Sequence, residues 1–221
     1  SALNPAADPE INAIFGPNFG GDNEFQKTAS VMKLVIEGNA GAGTISMGGF
    51  DYHTGERATG ELRDLRAGRC IGACLEFAAA RGQPLMIYVF SDGSLSSNGM
   101  IDDSVDGRGK GQWTGDNQQT AASFFLVYNP AGRPTLLDSG PPPERHQQIG
   151  YYSANGDVVT SSSPAANNVN LLVEMVLLNY MALHGEQSLF ASRFPTHGLG
   201  SNLDRLIAFE ALVNGTILNP L

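Results

Sequence analysis

Periodic and aperiodic stretches of apolar residues divide the chain. Residues 1–25 are rich in Pro, Asn and Gly without periodicity, which predicts an irregular N-terminal arm. From Gln26 to Asn39, Val31, Leu34, Val35 and Ile36 recur at helical spacing, with a stop near Gly38. Gly43–Met47 reads as a short buried strand. Glu56–Arg81 sets Leu62, Leu65, Ile71, Leu75 and Ala78 at roughly three- and four-residue steps, and Gly82 ends that helix. Leu85–Phe90 is a continuous apolar run, the pattern of a strand covered on both faces.

Strand, helix and strand in this order form a βαβ unit, whose right-handed crossover would make the two strands parallel. Residues 91–120 form a polar, Gly-rich connection of a length that is commonly functional. Ala121–Tyr128 is a further strand, closed by Asn129-Pro130. Residues 129–166 are rich in loop signals, including Pro141-Pro142-Pro143 and the turn Asn155-Gly156-Asp157. Asn168–His184 is a strongly apolar helix with Asn168 as N-cap and His184 at its C-terminal dipole. Asn202–Val213 reads as a last helix. The expected fold is α/β, a mainly parallel sheet flanked by helices. It would form one domain over residues 26–221, with long loops at the carboxyl edge of the strands.

Composition narrows the partners. The 221 residues carry 13 basic and 22 acidic side chains, a net charge of −9. That balance argues against nucleic acid or an anionic membrane as the main partner. No run of about 18 apolar residues is present, so no membrane span is expected. Only 16% of residues are charged and 27 are Gly, a composition that suits an exported, loop-rich protein. The opening Ser1-Ala2-Leu3-Asn4-Pro5 reads as a processed or engineered start. Cys70 and Cys74 stand four apart on one helix face, where a disulfide would be strained, so a free buried pair is expected.

Candidate chemistry begins at Gly48-Gly49-Phe50-Asp51-Tyr52-His53, directly after the first predicted strand. Asp51 and His53, two residues apart, point to one side of an extended segment. The carboxyl ends of strands are where open α/β sheets bind ligands, and Ser91-Asp92-Gly93-Ser94 follows the second strand to that same edge. If the strand at 121–128 runs antiparallel to 85–90, Asp116 reaches this edge as well. His146 and His197 are loop histidines that would complete a metal site or else remain on the surface. Asp102, Asp103 and Asp106 lack regular calcium-loop spacing and fit a solvated acidic loop.

Gly48–His53 resembles the GGFDTH motif of a family of exported bacterial proteins of unknown function, distant relatives of alkaline phosphatases and sulfatases. Ser91–Ser94 stands in place of that family's SEFGR segment, and Thr114-Gly115-Asp116-Asn117 in place of its GTDHG. The similarity extends from about 27 to 183, into the apolar helix. The resemblance implies an alkaline-phosphatase-like fold in which Asp51 and His53 bind one divalent metal and Asp116 a second. It departs at Asn117, where the family has His, and at Asp92 and Ser94, where it has Glu and Arg. Asn suits calcium better than zinc, so zinc, manganese and calcium all remain candidate ions, with Asp92, Asn117, His146 and His197 as further ligands. Too little chain precedes Gly48 to supply the family's nucleophile, which implies a fragment or a trimmed fold.

The resemblance leads to two functions. The first is an exported, non-catalytic binding or assembly protein on a degenerate fold, with a protein or a small anionic ligand as partner. The alternative is a divalent-metal-dependent hydrolase of phosphate or sulfate esters.

Overall fold

The computed structural model describes residues 3–50, 57–90, 94–105, 109–117, 123–137, 149–151, 153–154, 159–166 and 168–213. Helix begins earlier than the sequence pattern implies. Pro5–Ala7 is a 3-10 turn, α1 spans Pro9–Phe15 and a second 3-10 turn covers Gly16–Gly21, so residues 5–21 hold regular structure where an irregular arm was expected over 1–25. Asp8 caps α1, its Oδ1 accepting from Glu10 N at 3.0 Å and Ile11 N at 3.4 Å, with Pro9 at the first helical position. Asp22 caps α2 (Asn23–Ile36) in the same way, accepting from Glu24 N at 2.9 Å and Phe25 N at 3.3 Å.

The face that α2 buries is Phe25, Ala29, Met32 and Ile36, while Val31, Leu34 and Val35 are less deeply placed. Helix α3 (Arg57–Arg81) contributes Cys70, Ala73, Phe77 and Ala78 to the same core, which Ile11, Phe15 and Phe19 complete. Phe15 lies 5.5 Å from Phe19 and 5.1 Å from Phe25 between ring centroids, which locks α1 to the start of α2.

The expectation of a mainly parallel α/β sheet is overturned. The described residues are largely helical, and their strands pair only antiparallel and two at a time. No strand forms at Gly43–Met47, so there is no βαβ unit and no parallel pair there. The segment is held by helix side chains: Lys27 Nζ donates to Ser46 O at 2.5 Å, and Arg63 Nη1 to Gly48 O at 3.1 Å. Those carbonyls bond to side chains where a strand would bond to a neighbouring strand.

Strand β1 (Leu85–Phe90) instead pairs antiparallel with β4 (Ser123–Tyr128), from Leu85 opposite Tyr128 to Phe90 opposite Ser123. Between them in sequence, β2 (Ser94–Asp102) pairs with β3 (Lys110–Asn117), from Ser94 opposite Asn117 to Asp102 opposite Lys110. The β2–β3 register nests inside the β1–β4 register, the order of a hairpin within a hairpin. Gly109 N donates to Asp102 O at 2.9 Å near the turn between β2 and β3.

Alternation along β1 and β4 explains their unbroken apolar sequence. Leu85 and Tyr128, which share one face, pack on the N-terminal helical core. Tyr88 and Phe125 share the other: Tyr88 packs on the C-terminal core, and the Phe125 ring meets Phe209 edge-on at 6.1 Å. The ribbon is thus partly covered on both faces, by helices and chain segments and not by a parallel sheet.

The second core surrounds α4 (Val169–Leu183), with Asn168 Oδ1 capping Leu171 N at 3.1 Å and His184 at the C-cap. Phe190 on the short α5 (Phe190–Arg193) and Leu199, Leu206 and Ile207 pack against it. The helix expected over 202–213 is only a 3-10 turn, Leu203–Leu206, followed by an extended tail. Asn179, buried in α4, decides this. Its Nδ2 donates to Met175 O at 2.9 Å and Leu206 O at 2.8 Å, and its Oδ1 accepts from Ala208 N at 3.0 Å. The tail also bridges Leu136 to Phe209 and donates from Leu212 N and Val213 N to Leu183 O, 2.9 Å in each case. Backbone groups committed to these partners are unavailable for a helix.

Candidate functional site

Of the residues singled out as metal ligands, Asp51, His53, Asp92 and His146 lie outside the described residues. Asp116 and Asn117 end β3, with the Asp116 backbone opposite Leu95 and Asn117 opposite Ser94. β1 and β4 do pair antiparallel, but Asp51, His53 and Asp92, which Asp116 was expected to join at one edge, lie outside the described residues. His197 belongs elsewhere, in the C-terminal core. Its ring lies 5.2 Å from that of Phe190, and the neighbouring Gly198 N donates to Glu174 Oε2 at 2.9 Å. Among the described residues, no group of three or more His, Cys, Asp or Glu is placed to hold a metal ion.

The described glycines of the motif have a local backbone role. Gly49 adopts φ +85°, the left-handed region that favours glycine. The Arg63 guanidinium packs so closely that a Cβ on Gly49 would stand 2.6 Å from Cζ. Gly48 and Gly49 thus dock the start of the motif on α3, whatever chemistry the motif carries.

Among the described residues, a buried charge cluster forms from none of the candidate ligands. Lys33, 5% exposed, donates to Asp8 Oδ2 at 2.5 Å and to Glu37 Oε1 at 2.9 Å. Arg81 closes the network from the end of α3, with Nη2 3.0 Å from Asp8 Oδ2 and Nε 3.4 Å from Glu37 Oε1. Its Cζ also sits 4.3 Å from the Phe77 ring centroid, a cation–π contact beneath the ion pairs. Burial disfavours the Asp8 charge, but the Lys33 hydrogen bond and the backbone donors Ile11 and Glu10 outweigh it and hold the carboxyl below its usual range. Burial likewise opposes the Lys33 ammonium, and hydrogen bonds to Asp8 and Glu37 reverse the balance and raise its pKa.

A cavity of about 300 Å³ opens beside this network, lined by Asn4, Asp8, Glu10, Lys33 and Arg81 among others. Both cations already face carboxylates. The arrangement clamps α1, α2 and α3 together and offers little net positive charge to a small anion. Sequence signals for it were partial. Asp8-Pro9 carries the cap signature, but nothing local pairs Lys33 with Asp8, 25 positions away, or brings Arg81 to the same carboxylate.

Cys70 and Cys74 are free thiols, as their spacing suggested. Burial raises both, Cys74 up to about 12, with the Cys70 charge adding to the shift. Neither sits in the strongly electropositive setting that makes a thiol reactive.

Apolar surface forms the other candidate. β1 and β4 contain no charged residue and no proline, yet neither strand is fully buried and Phe90 and Phe124 are 49% and 52% exposed. On α4, whose only charge is Glu174, Val169, Val173, Leu177 and Tyr180 form an exposed apolar stripe. No helix among the described residues is long and apolar enough to cross a membrane. In comparisons with known proteins, no family model, no curated protein and no solved structure matches the chain.

Proposed function

We propose that the chain is an exported, non-catalytic binding or assembly protein. The observation that carries this reading is the charge-free ribbon of β1 and β4, two strands with partly exposed apolar side chains and no third strand among the described residues. A sheet of two strands is marginal alone and gains stability from additional strands or packed surface. The charge network supports the reading from the other side, because its cations are spent on internal pairs. The resemblance of Gly48–His53 to an exported family supports export.

A turnover assay tests the proposal directly. The full chain is incubated with aryl phosphate and aryl sulfate esters, with zinc, manganese or calcium supplied. No turnover is expected, and an Asp51→Ala/His53→Ala variant should behave identically. Hydrolysis that is lost in that variant would overturn the proposal and establish a metal-dependent esterase.

A further inference from the structure

We infer that Cys70, Cys74 and Met47 form a sulfur site for a soft monovalent metal ion, Cu(I), in the groove between α2 and α3. At about 100° per residue, Arg63, Cys70 and Cys74 fall within about 40° of one another around α3. From this stripe Arg63 Nη1 donates to Gly48 O. Across the groove, Lys27 of α2 holds Ser46 O, and Gly43 passes so close to Val31 that a Cβ would clash. The segment 43–48 therefore runs along the groove, with Met47 between its two anchors. Met47 and Cys74 both pack on the buried cluster that contains Cys70. Side chains four apart on a helix have Cβ atoms about 5–6 Å apart, a span that one ion bridges with two sulfurs.

Thr28 gives an independent sign of a ligand here. Its side chain is fully buried beside the Cys70 thiol, yet Oγ1 has no hydrogen-bond partner. Buried hydroxyls are normally paired. A metal-bound Cys70 thiolate gives this one an acceptor, the outer-shell contact that orients a ligand. Two thiolates and a thioether are the donors that soft Cu(I) selects, whereas structural zinc takes four ligands. Among the described residues, no His, Asp or Glu joins the two cysteines in a metal-binding group. Binding breaks both S–H bonds and forms two Cu–thiolate bonds. Both protons go to solvent, and the copper keeps its oxidation state. Burial raises both thiols, so the metal displaces their protons and affinity rises with pH.

The test is anaerobic titration of the full chain with Cu(I) against bicinchoninate, a coloured Cu(I) chelator. The expected result is withdrawal of one equivalent from the chelator, with a thiolate-to-copper charge-transfer band in the ultraviolet and tighter binding at higher pH. Cys74→Ala should abolish the uptake. Met47→Leu, which nearly conserves volume, should weaken it by roughly tenfold or more with circular dichroism unchanged. No withdrawal by the folded chain, uptake that survives Cys74→Ala, or equal uptake by the urea-unfolded chain would overturn the inference. If Cys74→Ala unfolds the chain, Met47→Leu decides, and an unchanged affinity in that variant overturns the three-sulfur site. These outcomes are independent of ester turnover, which alone decides the non-catalytic reading.

Discussion

Lys33 Nζ lies 2.5 Å from Asp8 Oδ2, an ion pair between the last turn of α2 and the cap of α1 with both side chains only 6% exposed. Asp8 therefore serves two structures at once. One carboxylate oxygen caps the helix and the other anchors Lys33 and Arg81. Loss of either partner leaves a charge in a place built for a pair.

Lys33→Met tests this clamp. Breaking a buried pair from one side costs about 3–5 kcal/mol. Because Arg81 still faces Asp8, the loss should fall at the lower end, about 3 kcal/mol, read as a reduced midpoint in urea unfolding. A midpoint equal to wild type would mean that the pair contributes nothing net.

The same pair sets a pH dependence. The Asp8 carboxyl titrates below its ordinary value of 3.8 in the folded chain, so its contribution is full above that value and is lost as pH falls through the depressed one. Unfolding followed from pH 6 to pH 2, an interval bracketing the carboxylate range of about 4, should show a loss of stability that Asp8→Asn lacks. The Lys33 ammonium acts in the opposite sense. Its stabilisation is complete below its ordinary 10.5 and lost only as pH rises through its raised folded value.

Asn179→Ala should release the C-terminal tail. The substitution leaves Leu206 O and Ala208 N without their side-chain partners, at a cost of about 1–3 kcal/mol for each buried group left unsatisfied. Amide exchange would register the change first at Ala208 and then across 207–213, with α4 itself still protected.

Cys74 should resist alkylation. With its thiol pushed up to about 12, almost no thiolate exists at pH 8, close to the usual thiol pKa of about 8.5. Iodoacetamide should modify the native protein slowly at both cysteines and the urea-unfolded chain rapidly. Fast native labelling at Cys74 would contradict the burial that raises it.

Much of the local structure was legible in the chain alone. The periodicity around residues 26–39 and 56–81 marks α2 and α3, and the apolar run of Asn168–His184 marks α4 with its Asn168 cap. The apolar runs at 85–90 and 121–128 mark the two strands of the ribbon, and the cysteine spacing marks free thiols. Each of these depends on residues within a turn or two of one another, where spacing determines which side chains share a face.

What the tertiary structure alone decided was the company these elements keep. An unbroken apolar strand signals cover on both faces without saying whether helices or further strands supply it, and here helices and an extended tail do. Helical spacing over 202–213 gave way to the side chain of Asn179, some thirty residues earlier in the chain. Nothing near Lys33 in sequence announces that this last-turn lysine of α2 is neutralised by a cap carboxylate from α1. Pairing across tens of residues depends on burial and long-range hydrogen bonds, and these exist only after the chain has folded.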